Sequence, residues 1–169
     1  LQSLVSRNVD PLEPAVLSLT KVRGGEAYNI LPEQVALGGC IRYLTAEARD
    51  LLRAGIERIS QGVAGAFGAH AETQYVYGYP ATVNTAREVD AARRAAESLV
   101  GATAVDSNAL PTMGAEDFAY MLQARPGAYV LLGNGEGDAG GCMLHNPHYD
   151  FNDDVLPLGA SYWVRLVEQ

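Results

Sequence analysis

The chain has 169 residues, with 12 basic and 20 acidic side chains and a formal charge of −8. That length suits one ordinary domain or parts of two small ones, and 48% apolar with 19% charged residues is the make-up of a folded globular chain. The acidic balance supplies no basic stripe for nucleic acid, and no apolar run approaches the roughly 20 residues that cross a bilayer.

Leu1, Leu4 and Val5 fall at helical spacing, and Pro11 ends the run. No capping residue precedes this helix, so the chain is expected to open inside it and to be a fragment. Gln2, Ser3, Arg7 and Asn8 break any leader-like apolar stretch. Val16, Ser18, Thr20 and Val22 alternate with Ala15, Leu17, Leu19 and Lys21, which predicts a strand with one buried face. Gly24-Gly25 break it, and a second strand is expected over about 34–44, interrupted in character by Gly38-Gly39.

Leu51, Leu52, Ile56, Ile59 and Val63 recur at three and four residues, so a long amphipathic helix is expected over about 46–67, stopped at Gly68. A third strand is expected over about 71–79, with Thr73, Tyr75, Tyr77 and Tyr79 on one face. Pro80 closes this unit. Beyond it, Thr85 and Glu88 have the spacing of a capping box for a helix running to Val100 and stopped by Gly101. Short apolar strands are expected near 103–105 and 128–132, with a helix from about Ala115 between them and a last helix from about Pro157 to Val167. Helices alternating with short apolar strands are the pattern of an α/β layer.

Three polar clusters could carry chemistry. Cys142, His145 and His148 lie on a glycine-rich loop with donor types that suit zinc, but Pro147 forbids a helix that would gather them. One ligand given to a site completed elsewhere is the better reading of His145. A local set of all three would instead make a metal-storage or sensor domain. In the second cluster, Gly114 allows close backbone approach, and Glu116 and Asp117 sit where a helix begins, which the helix dipole alone explains. In the third, Asn29 precedes Ile30-Leu31-Pro32 at a sharp connection. Arg42 stands among apolar neighbours, where an arginine either pairs with an acid or grips a carboxylate. His70 is expected to be solvated. Cys40 and Cys142 are expected as buried free thiols, which fits a reducing cytoplasm.

The ordered stretches Gly24-Gly25, Ala27-Tyr28-Asn29-Ile30-Leu31-Pro32, Gly39-Cys40-Ile41-Arg42 and Tyr79-Pro80-Ala81-Thr82-Val83-Asn84 continue into Met113-Gly114-Ala115-Glu116-Asp117-Phe118, Pro126-Gly127, Leu144-His145-Asn146-Pro147 and Tyr149-Asp150-Phe151-Asn152-Asp153. As a set they resemble the metal-dependent amidohydrolase and metallopeptidase family of aminoacylases, hippurate hydrolases, auxin-conjugate hydrolases and glutamate carboxypeptidases, with the match nearest the hippurate-hydrolase-like branch.

The resemblance implies an α+β lid, a partial two-helix, four-stranded sandwich, over residues 1–79. The C-terminal part of an α/β zinc-peptidase-like catalytic domain would follow over 80–169. It implies hydrolysis of N-acyl amino acids or small peptides, assisted by two divalent ions, zinc or manganese, and a homodimer formed through the lid. Residue by residue, His145 matches the last metal ligand, Asn29 and Arg42 match lid positions that grip the substrate, and Gly114 lies in a loop lining the pocket. The family's other metal ligands and its catalytic glutamate have no counterpart in these residues. The expectation is therefore an inactive chain that binds no metal stably. The alternative expectation is a non-catalytic dimerisation or binding module derived from that family.

Overall fold

The computed structural model describes residues 1–137 and 140–169. It divides into two compact units. The first is Leu1–Ala81 with Met113–Ala115, and the second is Thr82–Thr112 with Glu116–Gln169.

In the first unit, helix α1 (Ser3–Asn8) leads into an antiparallel pair of strands, β1 (Ala15–Arg23) and β2 (Ala36–Tyr43), followed by the long helix α2 (Ala46–Ala66). Ala15 pairs with Tyr43, Leu17 with Ile41 and Leu19 with Gly39; Lys21 then pairs with Gly38, so the ladder shifts by one residue between Leu19 and Lys21. Gly39 permits this bulge, because a Cβ there would run into the Ser18 carbonyl oxygen. The buried face expected along β1 is realised only at Leu17. Leu17 is buried, but Leu19 and Val22 are exposed.

Leu4, Leu17 and Leu52 form the core of this unit, one residue each from α1, β1 and α2, with Val5, Ile41, Ile56 and Ile59 packed around them. Of the apolar stripe read from the sequence of α2, Leu52, Ile56 and Ile59 join this core, whereas Leu51 and Val63 stay exposed. Thr45 caps α2 by accepting from the Ala48 N–H at 3.2 Å, and its hydroxyl donates to Glu13 at 2.8 Å. Gly68, at φ 70°, ends it in a Schellman motif: Gly68 N–H donates to Gly65 O at 3.1 Å and Ala69 N–H to Ala64 O at 2.9 Å.

The strand expected over 71–79 does not join a ladder; among the described residues the sheet has two strands. The side-chain alternation is nevertheless there. Arg53 lies over the rings of both Tyr75 and Tyr77, donates to the Tyr77 hydroxyl at 2.7 Å, and offers its own carbonyl to the Tyr75 hydroxyl at 2.9 Å. This segment is held to α2 by side chains, not to a neighbouring strand by its backbone.

In the second unit, helix α3 (Ala86–Val100) is followed by a 3-10 turn (Ala102–Ala104), helix α4 (Phe118–Ala124), a second 3-10 turn (Asp153–Val155) and helix α5 (Leu156–Val167). Ala92, Ala95 and Ala119 are its buried apolar residues. Gly101, at φ 80°, stops α3, and Pro157 sits in the first turn of α5.

Three expectations fail here. Residues 103–105 form a 3-10 turn and its exit, not a strand. Residues 128–132 run without a ladder partner among the described residues, so their apolar side chains stay largely exposed. The capping box also does not form. Thr85 donates its N–H to Gly127 O at 2.9 Å and accepts from Gly127 N–H at 3.3 Å on its hydroxyl, and the buried Glu88 Oε2 has no hydrogen-bond partner among the described residues. Helix α4 begins at Phe118, three residues later than expected.

Candidate functional site

In the first unit, the connection between β1 and β2 carries Asn29. Its base is narrow. A Cβ on Gly24 would lie 2.7 Å from Val35 Cγ2, and Gly25, at φ 74°, abuts Pro32. At its tip Ile30 N–H donates to Ala27 O at 3.5 Å, a turn with Tyr28 and Asn29 at its centre. Asn29 is exposed there, beside the exposed Tyr28, Ile30 and Leu31.

Arg42 sits near the end of β2 and is exposed. It has no acidic partner among the described residues. Its Nη1 donates instead to the Met113 carbonyl oxygen at 2.6 Å, so two of the sequence clusters meet: the β2 arginine and the Met113-Gly114-Ala115 segment. Asn29 is not joined to them by any hydrogen bond among the described residues.

In the second unit, Glu116 lies just before α4 and acts on Tyr129. Partial burial, and then a hydrogen bond with Glu116, hold the Tyr129 phenol above the ordinary tyrosine range. Phe118 packs on the same ring, with centroids 5.7 Å apart.

His145 occupies a left-handed backbone position, φ 68°, which among the described residues no other non-glycine adopts. It is the third residue of a turn closed by Asn146 N–H to Met143 O at 3.1 Å. A second turn follows at once, Tyr149 N–H to Asn146 O at 2.9 Å, with Pro147 inside it. Asn146 Oδ1 also accepts from His148 N–H at 2.9 Å. Two stacked turns therefore present an exposed imidazole.

Asn134 secures the base of this loop. It accepts from Asn152 N–H at 3.0 Å and donates to Asp150 O at 3.1 Å and Gly140 O at 3.4 Å. Sequence reading passed over Asn134. The only available signal was an asparagine inside a glycine-rich run, a residue type that closes loops on backbone groups.

Among the described residues no group of three or more His, Cys, Asp or Glu side chains is placed to hold a metal ion. The donors present do not by themselves build a metal site, and His145 stands as a single imidazole. Both cysteines are free thiols. Cys40 is exposed rather than buried as expected, because its face of the two-stranded sheet is uncovered, and Cys142 is half-buried. His70 is exposed. No helix of the described residues is long and apolar enough to cross a membrane.

Comparison with known proteins shows the family of the chain. The chain is 37% identical to a hippurate hydrolase of Campylobacter jejuni over 98% of its length, and 33% identical to an N-acetylcysteine deacetylase of Bacillus subtilis over 98%. It spans 42% of the length of each. Among solved structures, a Bacillus subtilis dinuclear metal-binding peptidase of the M20 family superposes at a TM-score of 0.75 and 28% identity, over 98% of this chain and 43% of that one. A structure from methicillin-resistant Staphylococcus aureus shares the fold at a TM-score of 0.82 and 23% identity, over 99% of this chain and 42% of that one. The model of peptidase family M20/M25/M40 matches residues 10–169, and the chain belongs to that family.

Proposed function

We propose that these residues supply the substrate-gripping lid and the returning C-terminal segment of a metal-dependent amidohydrolase that cleaves the amide bond of N-acyl amino acids or small peptides. The observation that carries this reading is the meeting of Arg42 with the Met113-Gly114-Ala115 segment, two family-like clusters 71 residues apart. The similarity to enzymes that act on hippurate and N-acetylcysteine supports the substrate class.

In this reading residues 1–79 are the lid and 80–169 belong to the catalytic domain. Arg42 takes the substrate carboxylate, because a guanidinium offers two parallel N–H donors that match its two oxygens. Asn29, on an exposed turn, supplies an amide near the scissile bond. Gly114 lets the backbone approach the substrate where a side chain would intrude. Two divalent ions, zinc or manganese, belong to the reaction, and His145 gives one ligand. The 169 residues alone are inactive, since one imidazole falls short of the three protein ligands usual for a catalytic zinc.

The lid also pairs two copies in this proposal, through α2 and the open edge of the two-stranded sheet, and the protein works in the cytoplasm. An open edge offers unpaired backbone groups to a second chain. Sedimentation that finds only monomer at high concentration removes the pairing.

The test of function is hydrolysis. A longer chain carrying these residues should release the amino acid from hippurate or N-acetylcysteine when supplied with zinc or manganese, and stop when a chelator is added. Arg42→Ala should raise KM for substrates with a free carboxylate. Hydrolysis indifferent to chelator, or to Arg42, overturns the reading. Metal-dependent hydrolysis by the 169 residues alone overturns the claim that they are inactive.

A further inference from the structure

The segment around Gly114 has little to hold it. Residues 105–116 contain neither helix nor strand. Among the described residues, the bond from Arg42 Nη1 to the Met113 carbonyl, at 2.6 Å, is the hydrogen bond that fixes Met113, Gly114 or Ala115. These three residues cluster with the unit that contains Arg42, whereas their chain neighbours on both sides belong to the other unit.

A guanidinium carries five N–H donors in a fixed plane. One is spent on Met113, and Arg42 is exposed, so the remaining donors face solvent. A carboxylate needs two parallel donors on one edge of that plane. The same side chain can therefore hold the backbone at Met113 through one nitrogen and a carboxylate along another edge without exchanging one for the other.

We propose that Arg42 is the positioning residue for the Met113–Ala115 segment, so that capture of a carboxylate and placement of the Gly114 backbone are one event at one guanidinium. The carboxylate half rests on the function proposed above; the positioning half rests on geometry alone. Lysine cannot replace arginine fully in this role. Its ammonium is a single point of donation, able to reach a carbonyl or a carboxylate but without a plane that fixes both.

The test uses backbone amide relaxation in the 169-residue chain, with N-acetylglycine as the carboxylate probe. In the wild type, the Gly114 and Ala115 amides should have order parameters near the rigid value of about 0.85; in Arg42→Ala they should fall below about 0.6, with the β1–β2 ladder amides unchanged as the control for folding. Arg42→Lys should recover part of the order. N-acetylglycine should shift the Gly114 amide saturably in the wild type, and neither variant should reproduce that shift.

Unchanged order at Gly114 and Ala115 in Arg42→Ala overturns the inference. If the order falls but N-acetylglycine shifts nothing in the wild type, the positioning role stands and the carboxylate reading of the site fails. Should the alanine variant lose its ladder amides, Arg42→Gln, which keeps a donor and a long side chain, gives the same comparison.

Discussion

Asn84 and Tyr129 hold each other through both edges of one amide. Asn84 Nδ2 donates to the Tyr129 carbonyl at 3.0 Å, and Asn84 Oδ1 accepts from the Tyr129 N–H at 2.7 Å. Beside them Thr85 donates its backbone N–H to the Gly127 carbonyl and accepts the Gly127 N–H on its hydroxyl. The Asn84 amide, with the backbone and hydroxyl of Thr85, thus performs for the 127–129 segment what a neighbouring strand would do with its backbone. Asn84→Ala removes two hydrogen bonds and leaves two backbone groups to solvent, so stability should fall by about 1–2 kcal/mol. Asn84→Asp should cost at least as much, since a carboxylate facing the Tyr129 carbonyl has no proton to give. Urea denaturation of the three proteins measures this; an unchanged midpoint in Asn84→Ala would show that the exchange contributes nothing.

Local signals explain which parts of this fold were legible. The core positions Leu52, Ile56 and Ile59 of α2 and its glycine stop are written in residues within a few positions of one another. Helices report themselves this way because each turn closes on its own neighbours. Strands do not. The alternation of Tyr75 and Tyr77 was readable and real, but whether a ladder forms depends on a partner elsewhere in the chain, and none of the described residues supplies one. Thr85 and Glu88 have the right spacing for a capping box. Gly127, 42 residues away, takes the threonine instead. At the site, residue types and order pointed to Asn29, Arg42, Gly114 and His145. The pairing of Arg42 with Met113, and the role of Asn134, are tertiary facts with no local spacing to announce them.

Gly55 offers a test of packing in the first unit. A Cβ at this position would strike Leu4, whose Cδ2 lies 2.8 Å away, and Leu4 is fully buried with nowhere to retreat. Alanine ordinarily gains up to about 1 kcal/mol over glycine inside a helix. Overpacking costs about 1–3 kcal/mol, so Gly55→Ala should destabilise. Gly62, on the same helix with open space around it, should show the ordinary gain when changed to alanine. In a Leu4→Ala background the clash is gone, and Gly55→Ala should then stabilise. Thermal or urea midpoints for the double-mutant cycle decide the matter; the same sign in both backgrounds would refute the contact.

Asn134 should govern the order of the His145 loop without touching the imidazole. Asn134→Ala deletes the bonds to Gly140, Asp150 and Asn152. Each contributes about 1 kcal/mol or less where solvent competes. The expected result is a loosened loop with helices α3 and α5 intact. Amide exchange should accelerate at Asn152, whose N–H loses its acceptor, and stay unchanged along α3. Equal exchange at Asn152 in both proteins would sink this account.

His145 combines a strained backbone with the imidazole proposed as a ligand. An L-residue in the left-handed region costs about 1–2 kcal/mol relative to its preferred conformations, and glycine avoids that cost. His145→Gly should therefore be more stable than His145→Ala by roughly 1 kcal/mol, a difference that reports the turn alone. In a longer chain that carries out the proposed hydrolysis, both variants should lose activity to the same extent, because both lack the imidazole. Activity that follows stability, highest in the glycine variant, would assign His145 to the turn and remove it from the metal site.

Tyr129 gives the second unit a pH signature at the alkaline end. Partial burial first, and the hydrogen bond with Glu116 second, raise its phenol above the unfolded value of about 10. A group whose folded pKa is raised contributes stability that is fully present below the unfolded pKa and is lost as pH climbs through the folded one. Stability should thus be level up to about pH 9.5 and decline above about pH 10. Tyr129→Phe should lessen the alkaline decline, the remainder belonging to Tyr75 and Tyr162, whose phenols burial also raises. Glu116→Gln should bring the phenol's titration closer to its ordinary range without abolishing the shift, because burial, the larger cause, remains. Ultraviolet titration of the phenols, paired with urea midpoints across that pH range, checks both. A Tyr129→Phe protein whose alkaline decline matches the wild type would place the titrating group elsewhere.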